Sequence, residues 1–189
     1  MNIARMLYPV RSLGPGTRLA IWVAGCSKKC KGCMSAELQD PECGTYFSNW
    51  EIIEIIRKYA SVNSIDGVTV SGGDPLEQPE DLIDLLTGLK PFINEILVFT
   101  GFTLEEAERR LNNDQISTIK NTVSVLIDGR FEEKNRDDNP LRGSANQKIH
   151  FFDPSIRPLY EEYCSVRHKV ETRLIGHELL FIGIPKQEE

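Results

Sequence analysis

The chain has 189 residues, 40% of them hydrophobic, and a formal net charge of −6. That length favours one domain with a sizeable core, the apolar share excludes a disordered chain, and the negative balance argues against a nucleic-acid partner, which calls for a basic face. No run approaches the ~20 consecutive apolar residues of a membrane span, and the start Met1-Asn2-Ile3-Ala4-Arg5 lacks a secretory apolar block, so no membrane role and a cytoplasmic location are expected.

Leu19 to Ala24 is an apolar run, and the first strand is read from Arg18 to Ala24. Directly after it come Cys26, Cys30 and Cys33, with three and then two residues between them. Five cysteines in a chain without an export signal read as metal binding rather than a disulfide framework. The spacing supplies three thiolates where a cubic iron–sulfur cluster needs four ligands, so one iron stays open. A zinc site or a ferredoxin-like cube completed by Cys43 is the alternative, although structural zinc usually shows paired Cys-x2-Cys units and no second pair exists here. Cys43 and Cys164 are otherwise structural or incidental. Lys28, Lys29 and Lys31 make the loop basic, either as a solvated surface or as a docking face for an acidic electron donor.

Further along, Ser48-Asn49-Trp50-Glu51 is a capping box that opens a helix to about Ala60. Gly67 to Val70 is a short buried strand, and Ser71-Gly72-Gly73-Asp74-Pro75-Leu76 follows it. The two glycines are either a plain turn or a place where a ligand approaches exposed amides and carbonyls. Pro79-Glu80-Asp81 opens a second helix. Glu95 to Phe99 is a third strand, and Thr103 to Glu106 a second capping box leading a helix to Leu111. Val123 to Ile127 and Lys148 to Phe152 are the fourth and fifth strands. The charged stretch Glu132 to Asn139, with Pro140 after it, reads as a mobile loop.

Strands separated by helices imply βαβ units and a parallel sheet. A full eight-fold barrel takes ~250 residues, so an α/β fold built as a partial, open parallel barrel is expected, with a core over residues 1–152. Ligands of such sheets lie at the carboxyl ends of the strands. The cysteine loop, Gly72-Gly73, Thr100-Gly101 and Asp128-Gly129 each follow a strand and gather on that rim. The remaining 153–189 form an extension packed on the core. In it, Val166, His168, Val170, Thr172 and Leu174 alternate with charged residues, and Gly176-His177 turns that strand into Leu179 to Ile184 as a hairpin. The scattered His150, His168 and His177 do not suggest a metal site.

Together these features resemble the radical S-adenosylmethionine (SAM) enzymes, and more closely the activating proteins of anaerobic (class III) ribonucleotide reductase. The resemblance is carried by Tyr8-Pro9-Val10, Gly14 to Arg18, the cysteine loop, Ser71 to Leu76, Phe99 to Phe102, Val125 to Phe131 and Arg142 to Gln147. It implies a [4Fe–4S] cluster held by Cys26, Cys30 and Cys33, whose open iron chelates SAM. It also implies one-electron cleavage to a 5′-deoxyadenosyl radical and a glycyl radical made on a large partner enzyme, with a flavodoxin-like electron donor. By the same resemblance Gly72 and Gly73 hold the methionyl amino group, and Gly32 and Met34 lie against the adenine. Asp74 either joins Gly72 and Gly73 or only fixes their turn. Thr100 and Asp128 are rim contacts for the ribose and carboxylate, or strand-end caps. Arg142 and Asn146 shield SAM or face the partner. Two departures stand out: Met34-Ser35 replaces the usual aromatic residue and asparagine, and the compact activating proteins lack the extension. A radical SAM enzyme acting on a small molecule or peptide, and a non-enzymatic iron–sulfur or zinc module, are the competing readings.

Overall fold

The computed structural model describes residues 1–166 and 170–185, apart from the side chain of Glu178. Among them a seven-stranded sheet is ordered β3-β1-β2-β4-β5-β6-β7. Its strands are β1 (Asn2–Val10), β2 (Arg18–Val23), β3 (Thr45–Tyr46), β4 (Gly67–Gly72), β5 (Ile96–Phe99), β6 (Val125–Asp128) and β7 (Lys148–Phe151). The helices are α1 (Asn49–Val62), α2 (Pro79–Leu89), α3 (Leu104–Arg110), α4 (Asn113–Thr122) and α5 (Arg157–Ser165), and β8 (Glu171–Ile175) with β9 (Glu178–Ile182) form a separate antiparallel hairpin. No described helix is long and apolar enough to cross a membrane.

The sheet is mixed rather than parallel throughout. β2, β4, β5 and β6 run parallel, while β1, β3 and β7 pair antiparallel with their neighbours. The cause lies in the connections. A parallel crossover takes a dozen or more residues, and the link 11–17 between β1 and β2 is shorter than that. The link 129–147 before β7 is long enough but contains no α-helix, only the short 3-10 turn Glu133–Asn135.

Both faces of the central strands are buried, as a sheet covered on two sides requires. Leu19, Ile21 and Val23 of β2 join Val68, Val70, Ile96 and Val98 in a core with Ile52 and Ile56 of α1 and Leu82, Leu85 and Leu86 of α2. Right-handed crossovers between strands that are adjacent in space set α1 to α4 on that one face. Ala20 and Trp22, one residue out of step, point the other way. They pack with Val10, Leu13 and Leu38 against Ile182 of β9. Farther across that face, Leu97, Val125 and Ile127 pack with Leu141 against Tyr160 of α5. The extension therefore supplies the second layer.

Both capping boxes form as expected, at Ser48 and Thr103. The structure adds elements that were not read in the sequence: β1, β3, α4 and α5. The alternating stretch in the tail crosses 167–169, so His168 lies outside the described residues. The hairpin beyond it turns at Gly176, with φ +61°.

At the amino ends of the parallel strands lies a closed polar knot. The Arg18 side chain is 1% exposed and ion-pairs with Glu95, donating also to Thr69 Oγ1 at 2.6 Å and to the carbonyls of Pro15 and Val68, each at 3.0 Å. The Tyr160 hydroxyl donates to the other Glu95 oxygen at 2.6 Å. A methyl group at Gly67 would collide with both the Glu95 carboxylate and the Arg18 guanidinium, so only glycine leaves room for the pair.

Candidate metal and cofactor site

The cysteine loop starts where β2 ends. It is held from outside by backbone bonds: Gly25 N–H donates to the Leu38 carbonyl at 2.8 Å and Cys26 N–H to that of Gln39 at 3.0 Å. Gly25, Lys29 and Gly32 take positive φ values of +97°, +48° and +72°, a backbone path that L side chains resist. The thiols of Cys26, Cys30 and Cys33 are free and half-buried, whereas Cys43 is exposed. Burial raises the Cys26 pKa, the nearby Asp74 carboxylate adds to the rise, and the Lys28 amide opposes it. Among the described residues no group of three or more His, Cys, Asp or Glu side chains converges as ligands of a single ion. Three soft, half-buried thiols on one tight loop are a donor set that fits the iron corners of a cluster.

Next to this loop runs the Gly72-Gly73-Asp74 turn, and the reason for its glycines is now visible. Gly72 has φ +113°, and a methyl there would strike the backbone of Val23; a methyl on Gly73 would strike the Gly25 carbonyl oxygen. Gly73 N–H donates to the Val23 carbonyl at 2.7 Å and Asp74 N–H to that of Gly25 at 2.9 Å. The glycines let this turn lie directly on the cysteine loop. The N–H groups of Gly73 and Asp74 are both taken up in this packing, against Val23 at the end of β2 and Gly25 of the loop.

The polar residues of the rim are likewise turned inward. Asp74 is fully buried: Oδ1 accepts from Thr100 Oγ1 at 2.8 Å and Leu76 N–H at 3.0 Å, and Oδ2 from Gly101 N–H at 2.9 Å. Thr100 Oγ1 also accepts from Phe102 N–H at 3.2 Å. Asp128 is 1% exposed; its Oδ2 accepts from Leu104 N–H at 2.7 Å and contacts His150 Nε2 at 2.8 Å, and its Oδ1 accepts from Lys148 N–H at 3.2 Å. Each of these residues already has hydrogen-bond partners within the protein. Chain leaving a strand end carries N–H groups without ladder partners, and a carboxylate or hydroxyl placed there satisfies them. Arg142 and Asn146 are similarly engaged. The Arg142 guanidinium meets Asp137 at 2.6 Å and the Gln147 carbonyl at 3.1 Å, and the Asn146 amide donates to the Arg130 carbonyl at 2.8 Å.

What remains open is a cleft of about 180 Å³. Cys33, Met34, Ser71 and Gly72 lie on one side, Phe99 and Phe131 form apolar walls, and residues 180–184 of the hairpin close the far side. Met34 is 41% exposed, and Gly32 sits beside it, with the Phe131 ring and the Glu133 carboxylate 3.4 Å from where a side chain would begin. Cysteine loop, glycine turn and Met34 are thus brought together, while Gly73, Asp74, Thr100 and Asp128 stand behind them and do not line the cleft. Phe99, Phe131 and the hairpin wall were not read in the sequence as lining residues. The aromatic pair sits one residue before Thr100 and three after Asp128, a placement just inside the rim that marks it.

The chain is of the iron–sulfur class: the 4Fe-4S single cluster domain matches residues 12–150, which span every rim segment. The anaerobic ribonucleoside-triphosphate reductase-activating protein of Enterobacteria phage T4 is 31% identical over 154 residues, covering 79% of this chain and 93% of the relative. The protein of the same name from Escherichia coli (strain K12) is 33% identical over 151 residues, 76% of this chain and 94% of the relative. That of Haemophilus influenzae is 34% identical over 157 residues, 77% and 95% respectively. The chain belongs to this family of 4Fe-4S activating proteins.

Proposed function

We propose that the chain is an activating enzyme that uses a [4Fe–4S] cluster and SAM to generate a glycyl radical on an anaerobic ribonucleoside-triphosphate reductase. The observation that carries this reading is a loop of three half-buried free thiols whose Cys33 meets the Ser71-Gly72 turn on one cleft at the strands' carboxyl ends. The names of the relatives support the partner. The four adjacent parallel strands support an open barrel of the radical SAM type, with residues 1–152 as core and 153–189 as an extension of the same domain. A flavodoxin-like donor and the cytoplasm complete the proposal and rest on the resemblance alone.

In this reading Cys26, Cys30 and Cys33 ligate three irons. When bound, the reduced cluster supplies one electron to the sulfonium of SAM, giving methionine and a 5′-deoxyadenosyl radical able to take a hydrogen atom from a glycine Cα. The protein's own residues bind, orient and exclude water. Carbonyl oxygens of Ser71 and Gly72, which line the cleft, accept from the ammonium group, which has only N–H donors to offer. Gly32 and Met34 offer the adenine a flat approach and a polarizable thioether, with Phe99 and Phe131 as apolar walls. Asp74, Thr100 and Asp128 serve by holding the loops from behind.

Anaerobic reconstitution followed by reduction with SAM and the reductase tests the proposal. The expected result is a glycyl-radical doublet on the reductase by electron paramagnetic resonance, with one methionine released per activation event. SAM cleavage coupled to hydrogen transfer from a small molecule, with no doublet on the reductase, would replace it with the small-molecule reading.

A further inference from the structure

Lys28 lies between two of the three cysteines, yet its side chain is only 3% exposed. Its ammonium is 2.8 Å from the fully buried Asp74 Oδ2 and 3.2 Å from Glu77 Oε1, and sits 3.2 Å from the centre of the Phe102 ring. Those groups belong to different parts of the rim: Asp74 and Glu77 to the turn after β4, and Phe102 to the turn after β5. Arg110 of α3 completes the socket, with its guanidinium 4.9 Å from the centre of the Phe102 ring and 3.4 Å from Glu77 Oε2. Gly101 makes the space. A methyl there would come within 2.5 Å of Lys28 Cδ, in the buried middle of the side chain, where it has little freedom to move aside. The neighbouring Ser27 binds Glu77 as well, through its hydroxyl and through its amide at 3.2 Å. Burial pushes the Glu77 carboxyl up, but the Ser27 and Lys28 contacts outweigh it and hold the group below its usual range.

A lysine this enclosed does not greet an electron donor, so the docking role is withdrawn for Lys28; the surface-exposed cations of the loop are Lys29 and Lys31, the latter 93% exposed. A desolvated ammonium against a desolvated carboxylate and an aromatic face is a strong, directional tie. It fastens the middle of the cysteine loop, where the loop's own backbone offers few bonds.

We infer that Lys28 is a positioning residue, the peg that sets the cysteine loop against the Gly72-Gly73-Asp74 turn and so fixes where the thiols stand relative to the SAM-binding carbonyls. The inference rests on the proposed cluster and SAM site. It goes beyond them by assigning the loop's geometry to a side chain whose partners are Asp74, Glu77 and Phe102 rather than the thiols.

The test uses K28M, which keeps the length of the side chain, the charge-neutral pair K28M/D74N, and G101A, which displaces the peg without removing a charge. The first readout is hydrogen–deuterium exchange of the apoprotein. Amides of residues 26–34 should exchange roughly tenfold faster than in the wild type, while those of β2 and β4 stay protected. The second is made on reconstituted protein: the SAM KM should rise about tenfold, with a smaller fall in kcat, as expected for lost binding geometry. Should K28M fail to fold, the other two variants carry the same comparison. Wild-type exchange at 26–34 and an unchanged SAM KM in the variants that fold, whatever their melting temperatures, would overturn the inference. Failure of the underlying reading looks different: the wild type itself would then take up no four-iron cluster or bind no SAM.

Discussion

At the amino ends of β2, β4 and β5, Arg18 and Glu95 are buried together and capped by Tyr160; at the carboxyl ends, Lys28 and Asp74 are buried together and capped by Thr100 and Gly101. The chemistry of the two knots is alike, a cation and a carboxylate withdrawn from solvent and tied to further hydrogen-bond partners. Their surroundings differ. The amino-end knot is surrounded by core, and Gly67 leaves no more room than the pair needs. The carboxyl-end knot stands behind a cleft and three unpaired thiols. The contrast teaches that burial of charge at the rim is itself no sign of ligand contact. Both ends use it to tie loops; only one leaves donors over.

Three comparisons sharpen this contrast, in falling order of effect. Removing a donor should be the most severe: C26A is expected to lose iron to background levels on reconstitution and to abolish activation, whereas C43A, exposed and outside the cleft, keeps a wild-type iron content. Equal loss of iron in both variants, by metal and sulfide analysis, would mean a cluster closed by four cysteines. Breaking the amino-end knot comes second. E95A strands the buried Arg18 charge and should cost about 3–5 kcal/mol in urea unfolding, with the cluster spectrum of the surviving folded protein unchanged.

The third effect is smaller and depends on pH. Y160F removes one hydrogen bond to Glu95, worth about 1 kcal/mol at neutral pH. Burial raises the Tyr160 pKa well above the ordinary 10.0, and the Glu95 carboxylate adds to the rise while Arg18 opposes it. Unfolding at alkaline pH therefore releases a proton that the folded protein retains. The stabilisation is fully present below pH 10.0 and is lost as pH rises through the folded value. The stability gap between wild type and Y160F should accordingly narrow above that pH, and a gap that widens would contradict the burial assigned to this hydroxyl.

The sequence was legible where local rules govern. Ser48 and Thr103 cap helices because the reciprocal side-chain bonds are local, and the apolar runs of β2, β4, β5 and β6 mark strands buried on two faces. The helix α4 carries the same local signal, since Asn112 and Gln115 form a capping box of their own. β1 was harder. Its burial is intermediate over most of its length, so it lacks both the alternation of a half-buried strand and the solid run of a central one. The rim failed differently. Which atom a strand-end carboxylate meets is decided by loops distant in sequence; Asp128 meets Leu104, Lys148 and His150. Spacing placed Asp74, Thr100 and Asp128 on the correct rim and left open which way they face. The hairpin wall of the cleft had no sequence signal, since nothing local to residues 180–184 names the loop they stand opposite.

The seating of Ile182 beside Trp22, and of Tyr160 beside Leu97 and Ile127, bears on how the chain can be shortened. A fragment ending at residue 152 would retain each thiol and glycine of the rim and still be a poor protein: one side of its sheet would lie bare, an oily plate seeking other copies of itself. Here the tail covers that face, so a cut after β7 removes part of the packing of the sheet it leaves behind.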